Sequence, residues 1–315
     1  MHPGVPPFPK HFDGKRYFNP DAPQARGFLD VLRWKFTSRP QPSPRFVPDV
    51  TPSKPPASVD GSELRVTLIN HSTVLLQQSG CNILTDPVWS ERATPVNGLG
   101  PRRKRSPGVL LDDLPRIDIV LLSHNHYDHL DLVTLRRLAA RGQSQFIVPA
   151  GVARLLRSKN IGPVNELDWG DALQLAGVTF HCVPALHASA RSLFDRNRTL
   201  WCGYIIETPD RIVYFAADTA FGAHFAAIRK RFGTPRLALL PIGAYEPRWF
   251  MSSVHMGPDE AVKAHEILGA TTSIAIHHGT FQLADESLDA PKQLLSECAP
   301  DNFLILNNGE SMVLT

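Results

Sequence analysis

Residues 118–131 read Asp-Ile-Val-Leu-Leu-Ser-His-Asn-His-Tyr-Asp-His-Leu-Asp, DIVLLSHNHYDHLD. Up to Leu122 the stretch is a β-branched and apolar run of strand character. His124, His126, Asp128 and His129 then follow within six positions. Alternation in an extended chain puts His124 and His126 on one side. Asp128 and His129 come at a turn and can point at a second nearby position. Imidazoles and carboxylates are ligands that zinc, iron and manganese accept. Four such groups directly after a buried strand would be expensive to desolvate without a metal. The stretch therefore predicts a metal centre at a strand end.

One loop cannot complete two metal sites, so further ligands are expected at the ends of other strands. Three candidates fit. His187 follows the strand-like run Val178–Val183, Asp218 follows Arg211–Phe215 and His277 follows Ser273–Ile276. Working outward, strand-like runs also fall at Leu64–Ile69, Thr73–Leu76, Asn82–Thr85, Gln145–Val148, Gly203–Glu207, Leu237–Leu240 and Phe303–Leu306. Helical patterns lie at Leu132–Ala140, Val152–Ser158, Ala223–Arg231, Pro258–Leu268 and Pro291–Cys298. This is a mixed α/β layout with many strands.

The pattern H-x-H-x-D-H after a strand, with a later His, Asp and His, resembles the metallo-β-lactamase superfamily. HSTVLL, ILTDPVWSERATP, GPRRKRSP, LSHNHYDHLD, NELDWGD, AADTAF, RFGTPRLALLPIGAYEPRWFM, PDEAVKAH and AIHHGTFQLADE resemble, more narrowly, the N-acyl-phosphatidylethanolamine-hydrolysing phospholipase D subfamily and its bacterial relatives. The similarity runs from about Leu64 to Glu310. It implies an α/β fold, the four-layer αβ/βα sandwich with two facing β-sheets and outer helices. It also implies two Zn(2+) ions per chain. His124, His126 and His187 would bind one ion, Asp128, His129 and His277 the other, and Asp218 would bridge them. A hydroxide between the metals is then the expected nucleophile, because a bound metal lowers the pKa of its water to about 7.

Around this set, Asp86 in Thr85-Asp86-Pro87 is the foremost candidate for a carboxylate that orients a ligating histidine, and Asp131 is another. Tyr127, inside the cluster, and His255, before the helix-start signal Gly257-Pro258-Asp259-Glu260, are candidates for substrate contact and catalysis, against plain packing roles. Arg248, flanked by aromatics, is read as a phosphodiester clamp or as an ion pair with Glu246 or another acid. The run Arg102-Arg103-Lys104-Arg105 is either a solvated loop or an anion contact. His278 departs from the aromatic expected in animal relatives. His71, His181, His224 and His265 are taken as structural.

The function expected is two-zinc hydrolysis of a phosphodiester, of the phospholipase D type, with N-acyl-phosphatidylethanolamine or a related phospholipid as substrate. The alternatives are a lactonase or other small-ester hydrolase of the same superfamily and a non-catalytic metal-binding module. All seven ligand positions are filled, which speaks against the last. Di-iron relatives carry a glutamate where His126 stands, which speaks against redox chemistry.

Composition limits the remaining classes. The 315 residues carry a net charge of +3. Residues 1–60 hold nine Lys/Arg against five Asp, for +4, with 13 of the 28 prolines. The rest of the chain is therefore slightly acidic, which argues against a nucleic-acid partner. The expected organisation is a proline-rich basic extension over 1–60 and a catalytic domain over 61–315. Within the extension, the patch Gly27–Phe36 is either a strap docked on the core or a peripheral membrane contact. Four scattered cysteines and an opening Met1-His2-Pro3-Gly4 without an apolar run suggest a cytoplasmic protein, with the inner face of the membrane as the alternative location. Oligomerisation is left open.

Overall fold

A computed structural model describes residues 9–20, 26–48, 52–96, 98–142 and 144–314. The reading made of Met1–Gly4 lies outside the described residues. Along the chain the strands are β1 (Leu64–Asn70), β2 (Thr73–Gln78), β3 (Cys81–Thr85), β4 (Ile119–Leu121), β5 (Gln145–Pro149), β6 (Val164–Leu167) and β7 (Ala172–Leu175). They continue with β8 (Val178–Val183), β9 (Gly203–Thr208), β10 (Arg211–Phe215), β11 (Leu237–Pro241), β12 (Thr272–Ile276), β13 (Phe303–Leu304) and β14 (Ser311–Leu314). The helices are α1 (Phe28–Thr37), α2 (Leu132–Ala140), α3 (Ala153–Arg157), α4 (His224–Phe232), α5 (Arg248–Met251), α6 (Pro258–Leu268) and α7 (Ala290–Cys298).

The chain divides into two compact units. Unit I comprises Arg45–Asp168, Ser189–Trp201 and Leu306–Thr315. Unit II comprises Met1–Pro44, Trp169–Ala188 and Cys202–Ile305. The lead-in is thus shared: its described residues up to Pro44 pack with unit II, and those from Arg45 with unit I.

Unit I holds a seven-stranded sheet in the order β14-β1-β2-β3-β4-β5-β6. β14, β1, β2 and β3 pair antiparallel, and β3 to β6 pair parallel. Every residue of β2, β3 and β4 is buried, so these strands read as continuous apolar or satisfied runs rather than alternating ones. Leu135 and Leu138 of α2 and Leu156 of α3 pack with Val120, Phe146 and Val148 in one core. These registers send the carboxyl ends of β1, β3 and β4 to the same sheet edge, and ligands gather outside such edges.

Unit II holds a second seven-stranded sheet, in the order β13-β12-β11-β10-β9-β8-β7. Here β7 to β10 pair antiparallel and β10 to β13 parallel. Phe225 and Ile228 of α4, Ala261, Ala264 and Leu268 of α6 and Leu295 of α7 pack against Tyr214, Ala238 and Ala275. β8, β10, β11 and β12 all end at one edge. The two units thus repeat one scheme, three antiparallel pairings followed by three parallel ones.

Within unit II the lead-in is a docked strap. Trp34 of α1 stacks on Phe250 at 5.0 Å, and the Arg33 guanidinium lies 4.7 Å from the Trp249 ring centroid. Asp285 accepts hydrogen bonds from Trp34 Nε1 (3.3 Å), Ser38 Oγ (2.5 Å) and Arg39 N (3.3 Å). Among the described residues no helix is long and apolar enough to cross a membrane.

Candidate metal centre

In unit I, β4 delivers Leu122 and Ser123 to the sheet edge and the chain then turns through the histidine-rich loop. Asp86, just past β3, reaches this loop with both carboxylate oxygens. Ser123 donates its N–H (2.8 Å) and its hydroxyl (2.6 Å) to Asp86, and His129 Nδ1 lies 2.7 Å from it. Burial pushes the Asp86 carboxyl up from its ordinary range, while His129 and Ser123 pull it back down. His129 is thereby held by Nδ1 with Nε2 turned to the loop interior, the arrangement usual for a ligating imidazole. His124 Nδ1 sits 2.9 Å from Ser123 Oγ. The donor atoms of Asp86, His124 and His129 lie within 4.8 Å of one another.

In unit II, His187 follows β8 and its Nδ1 hydrogen-bonds the Val254 carbonyl at 2.9 Å. Asn19 of the strap donates to the His187 carbonyl, also at 2.9 Å. Asp218 follows β10 and is 3% exposed. Its Oδ2 stands 3.1 Å from His277 Nε2 and 3.7 Å from His187 Nε2. His255 Nδ1 is 4.0 Å from the same oxygen, and its ring stacks on His277 at 5.3 Å. His255 therefore lies inside the donor cluster, with atoms of His187, Asp218 and His255 within 4.8 Å of one another.

The donor set fits a metal. Zinc bonds of about 2.0–2.1 Å in tetrahedral geometry put two ligand atoms about 3.3 Å apart. His124 Nε2 and His126 Nδ1 are 2.9 Å apart, and Asp128 Oδ2 and His129 Nε2 are 3.4 Å apart. With the two Asp218 contacts, these separations straddle that value. Backbone strain gathers at the same places: Asp86 (φ 34°), Ala217 (φ 53°), His277 (φ 58°) and His71 (φ 48°) are all left-handed without being glycine. Such residues persist where the surroundings over-determine them, and they cluster at functional sites. Gly243, after β11, is required by close approach, since a Cβ there would lie 2.1 Å from the His277 carbonyl oxygen.

Two candidates meet other partners. The Arg248 guanidinium is engaged by acids, with Asp259 at 2.5 Å, Glu260 at 3.2 Å and Glu246 at 3.8 Å, which is the ion-pair arrangement. Asp131 caps α2, accepting from Val133 N, and its other oxygen accepts from Ser90 N (2.9 Å) and Thr134 Oγ1 (2.6 Å). Its carboxylate thus fastens the loop before β4 to the helix after the histidines, rather than orienting an imidazole. The basic run also divides. Arg103 is 7% exposed and donates to Asn70 Oδ1, Val88 O and Ser90 O, while Arg102 pairs with Glu91. His278 Nε2 lies 3.2 Å from the Ala275 carbonyl.

Two residues escaped the sequence reading. His71, taken as structural, places Nε2 3.1 Å from Asp128 Oδ2; its position at the end of β1 was the available signal. Arg191 had none. It donates to the Asn125 and Leu130 carbonyls (2.7 and 2.9 Å) and its guanidinium lies 3.8 Å over Tyr127, whose hydroxyl donates to the Arg191 carbonyl. Tyr127 and Arg191 line a groove of about 820 Å³ in unit I, together with Arg92, Arg102, Leu132 and Leu155.

The β-lactamase superfamily domain matches residues 81–278. N-acyl-phosphatidylethanolamine-hydrolyzing phospholipase D 1 of Caenorhabditis elegans is 38% identical over 79% of this chain and 75% of its own length. An uncharacterized protein of Mycobacterium tuberculosis is 38% identical over 88% and 75%. Among solved structures, a metallo hydrolase from Ignicoccus hospitalis superposes with a TM-score of 0.61 at 22% identity, over 81% of this chain and 99% of that one. The chain has the metallo-β-lactamase fold and belongs to the β-lactamase superfamily domain family, in the branch that includes the N-acyl-phosphatidylethanolamine-hydrolyzing phospholipases D.

Proposed function

We propose that this metal-dependent hydrolase of the metallo-β-lactamase fold uses two zinc ions to cleave a phosphodiester of a phospholipid. N-acyl-phosphatidylethanolamine, the substrate in the name of its nematode relative, is the leading candidate. His124, His126 and His187 would hold one ion and Asp128, His129 and His277 the other, with Asp218 shared. The observation that carries the reading is Asp218 Oδ2, one buried oxygen within reach of both His187 and His277. The family pattern assigns those two histidines to different ions.

Two such ions, when bound, supply an activated water and a Lewis acid for a phosphoryl oxygen. The protein's part is to hold the donors. Asp86 fixes the tautomer and direction of His129, the Val254 carbonyl does the same for His187, and His71 fixes Asp128. His255, 14% exposed at its side chain, is the group beside Asp218 with access to a leaving oxygen. Tyr127 stands between the ligand loop and the groove. That groove joins three arginines, the acids Glu91 and Asp131 and the apolar Leu132, Val133 and Leu155, and its size and mixed lining suit an amphiphile better than a small lactone. The exposed pair Leu29 and Phe36 on α1, with Arg33 and Lys35 between them, supports a peripheral membrane contact of the strap.

The test is turnover by the zinc-loaded protein of bis(p-nitrophenyl) phosphate and of a panel holding N-acyl-phosphatidylethanolamine, a sugar lactone phosphate and nitrocefin. Chelation should abolish diester hydrolysis and zinc should restore it. Activity that survives exhaustive chelation contradicts the mechanism, and preference for the lactone replaces the phospholipid. Asp218→Ala should lose metal and activity together; an active variant holding two metals would remove Asp218 from its bridging role.

A further inference from the structure

We propose that the tip of the loop from Ser189 to Arg198 in unit I is an interfacial anchor that docks the protein on an anionic lipid surface beside the ligand loop. Its purpose rests on the phospholipid reading above; its physical basis does not. Leu193 and Phe194 are adjacent and are 90% and 82% exposed. Isolated exposed apolar residues are ordinary, but two large neighbours almost wholly in water on one projecting turn are not.

The turn is built to hold them out. Asp195 Oδ1 accepts from Arg191 N (3.0 Å) and Ser192 N (2.8 Å), and Arg198 N donates to the Asp195 carbonyl (3.0 Å). At the base, Asn197 N donates to the Ser189 carbonyl (2.7 Å) and Asn197 Oδ1 accepts from Ser189 N (3.2 Å). A loop so cross-linked does not fold its apolar tip back onto the body.

The occupant follows from size and charge. A stable protein interface covers about 800 Å² per partner, and two projecting side chains offer only a fraction of that. A bilayer takes in single apolar side chains without demanding shape, and anionic headgroups attract arginine. Residues 189–198 carry three arginines against one aspartate, and Arg198 is exposed. The third arginine braces the anchor to the site, because Arg191, two residues before Leu193, holds the Asn125 and Leu130 carbonyls and covers Tyr127. A tip seated in a membrane would thus present the groove and the ligand loop to the lipid surface.

The experiment compares the zinc-loaded full chain with Leu193→Ser/Phe194→Ser by co-sedimentation with vesicles of phosphatidylcholine and phosphatidylglycerol in a 3:1 ratio. Tm and bis(p-nitrophenyl) phosphate turnover are measured in parallel. The expected result is at least a tenfold loss of vesicle partitioning, with Tm and soluble-diester turnover retained. Arg198→Glu should weaken binding to the anionic vesicles and leave binding to pure phosphatidylcholine unchanged. A double variant that partitions like the parent overturns the proposal, as does a parent that binds neither vesicle. Loss of binding only in Leu29→Ser/Phe36→Ser would move the anchor to α1 and overturn it too. If tip-dependent binding persists in a protein that cleaves no phosphodiester, the catalytic reading fails and the anchor stands.

Discussion

Asp86 shows how much one buried carboxylate can carry. Its three polar contacts come from Ser123 and His129, so it fixes both the exit of β4 and the aim of an imidazole. Asp86→Asn keeps the shape but removes the charge and one acceptor. Loss of such an orienting carboxylate weakens metal binding by about 10–100-fold, and titration of the apo-protein with zinc should show this; an unchanged affinity would make Asp86 a folding residue only. His224 makes a different prediction. Burial drives its pKa from 6.5 down to about 3, so it is neutral in the folded state over most of the acid range. Between pH 3 and 6.5 the unfolded chain binds the extra proton, and stability must therefore rise with pH across that window. His224 contributes fully above about pH 6.5 and its contribution is lost as pH falls toward 3. Thermal unfolding of His224→Gln between pH 4 and 7 should show a flatter dependence than the parent, and parallel curves would refute the assignment. At this scale the cluster of donors was legible in the sequence, because four imidazoles and carboxylates after one strand are expensive to bury without a shared purpose. Arg248 was not, because its partners Asp259 and Glu260 lie a turn and a half-loop away and sequence spacing cannot choose between an acid and a phosphate.

Among the elements, the buried strands and amphipathic helices announced themselves through apolar runs and periodicity. β6, β7 and β14 did not. They are VNEL, ALQL and SMVL, each half-exposed toward a sheet edge and too short and polar to carry a strand signature. α1 was read as a helical patch, either a docked strap or a membrane contact, and its contacts are those of the strap. Trp34 faces Phe250 and Asp285, whereas Leu29 and Phe36 face water. Asp285 is the fastening of this element. Asp285→Ala removes the acceptor for Trp34, Ser38 and Arg39 at once, and part-buried hydrogen bonds contribute about 1 kcal/mol each. The variant should lose about 2 kcal/mol of stability and become sensitive to limited proteolysis within residues 28–40. An undiminished resistance would show that aromatic stacking alone holds the strap.

At the scale of the whole molecule, each unit places its donors at the carboxyl edge of its own sheet, where a rigid hydrogen-bonded frame can hold strained, buried, polar residues in position. That frame carries a cost. Unit I gathers His71, Asp86, Asp128 and three further histidines, and unit II gathers His187, Asp218, His255 and His277; seven of these ten are buried and His126, Asp128 and His255 are partly buried. Buried ionisable groups oppose folding unless an opposite charge compensates them. A metal that binds only the folded chain supplies that charge and stabilises by RT ln(1 + [L]/Kd), about 4 kcal/mol at a free concentration one thousand times Kd. At about 2.1 cal/mol/K of unfolding entropy per residue, each kcal/mol raises the Tm of a 315-residue chain by roughly 1.5 °C. Scanning calorimetry of the zinc-loaded and the chelated protein should therefore differ by roughly 6 °C, with chelation lowering Tm. Asp218→Ala should shrink the difference to a small part of that, because the shared oxygen is gone from the unit II cluster. A chelated parent that melts where the loaded one does would mean that these clusters hold their charge by internal hydrogen bonding alone, and the metal centre would have to be sought elsewhere.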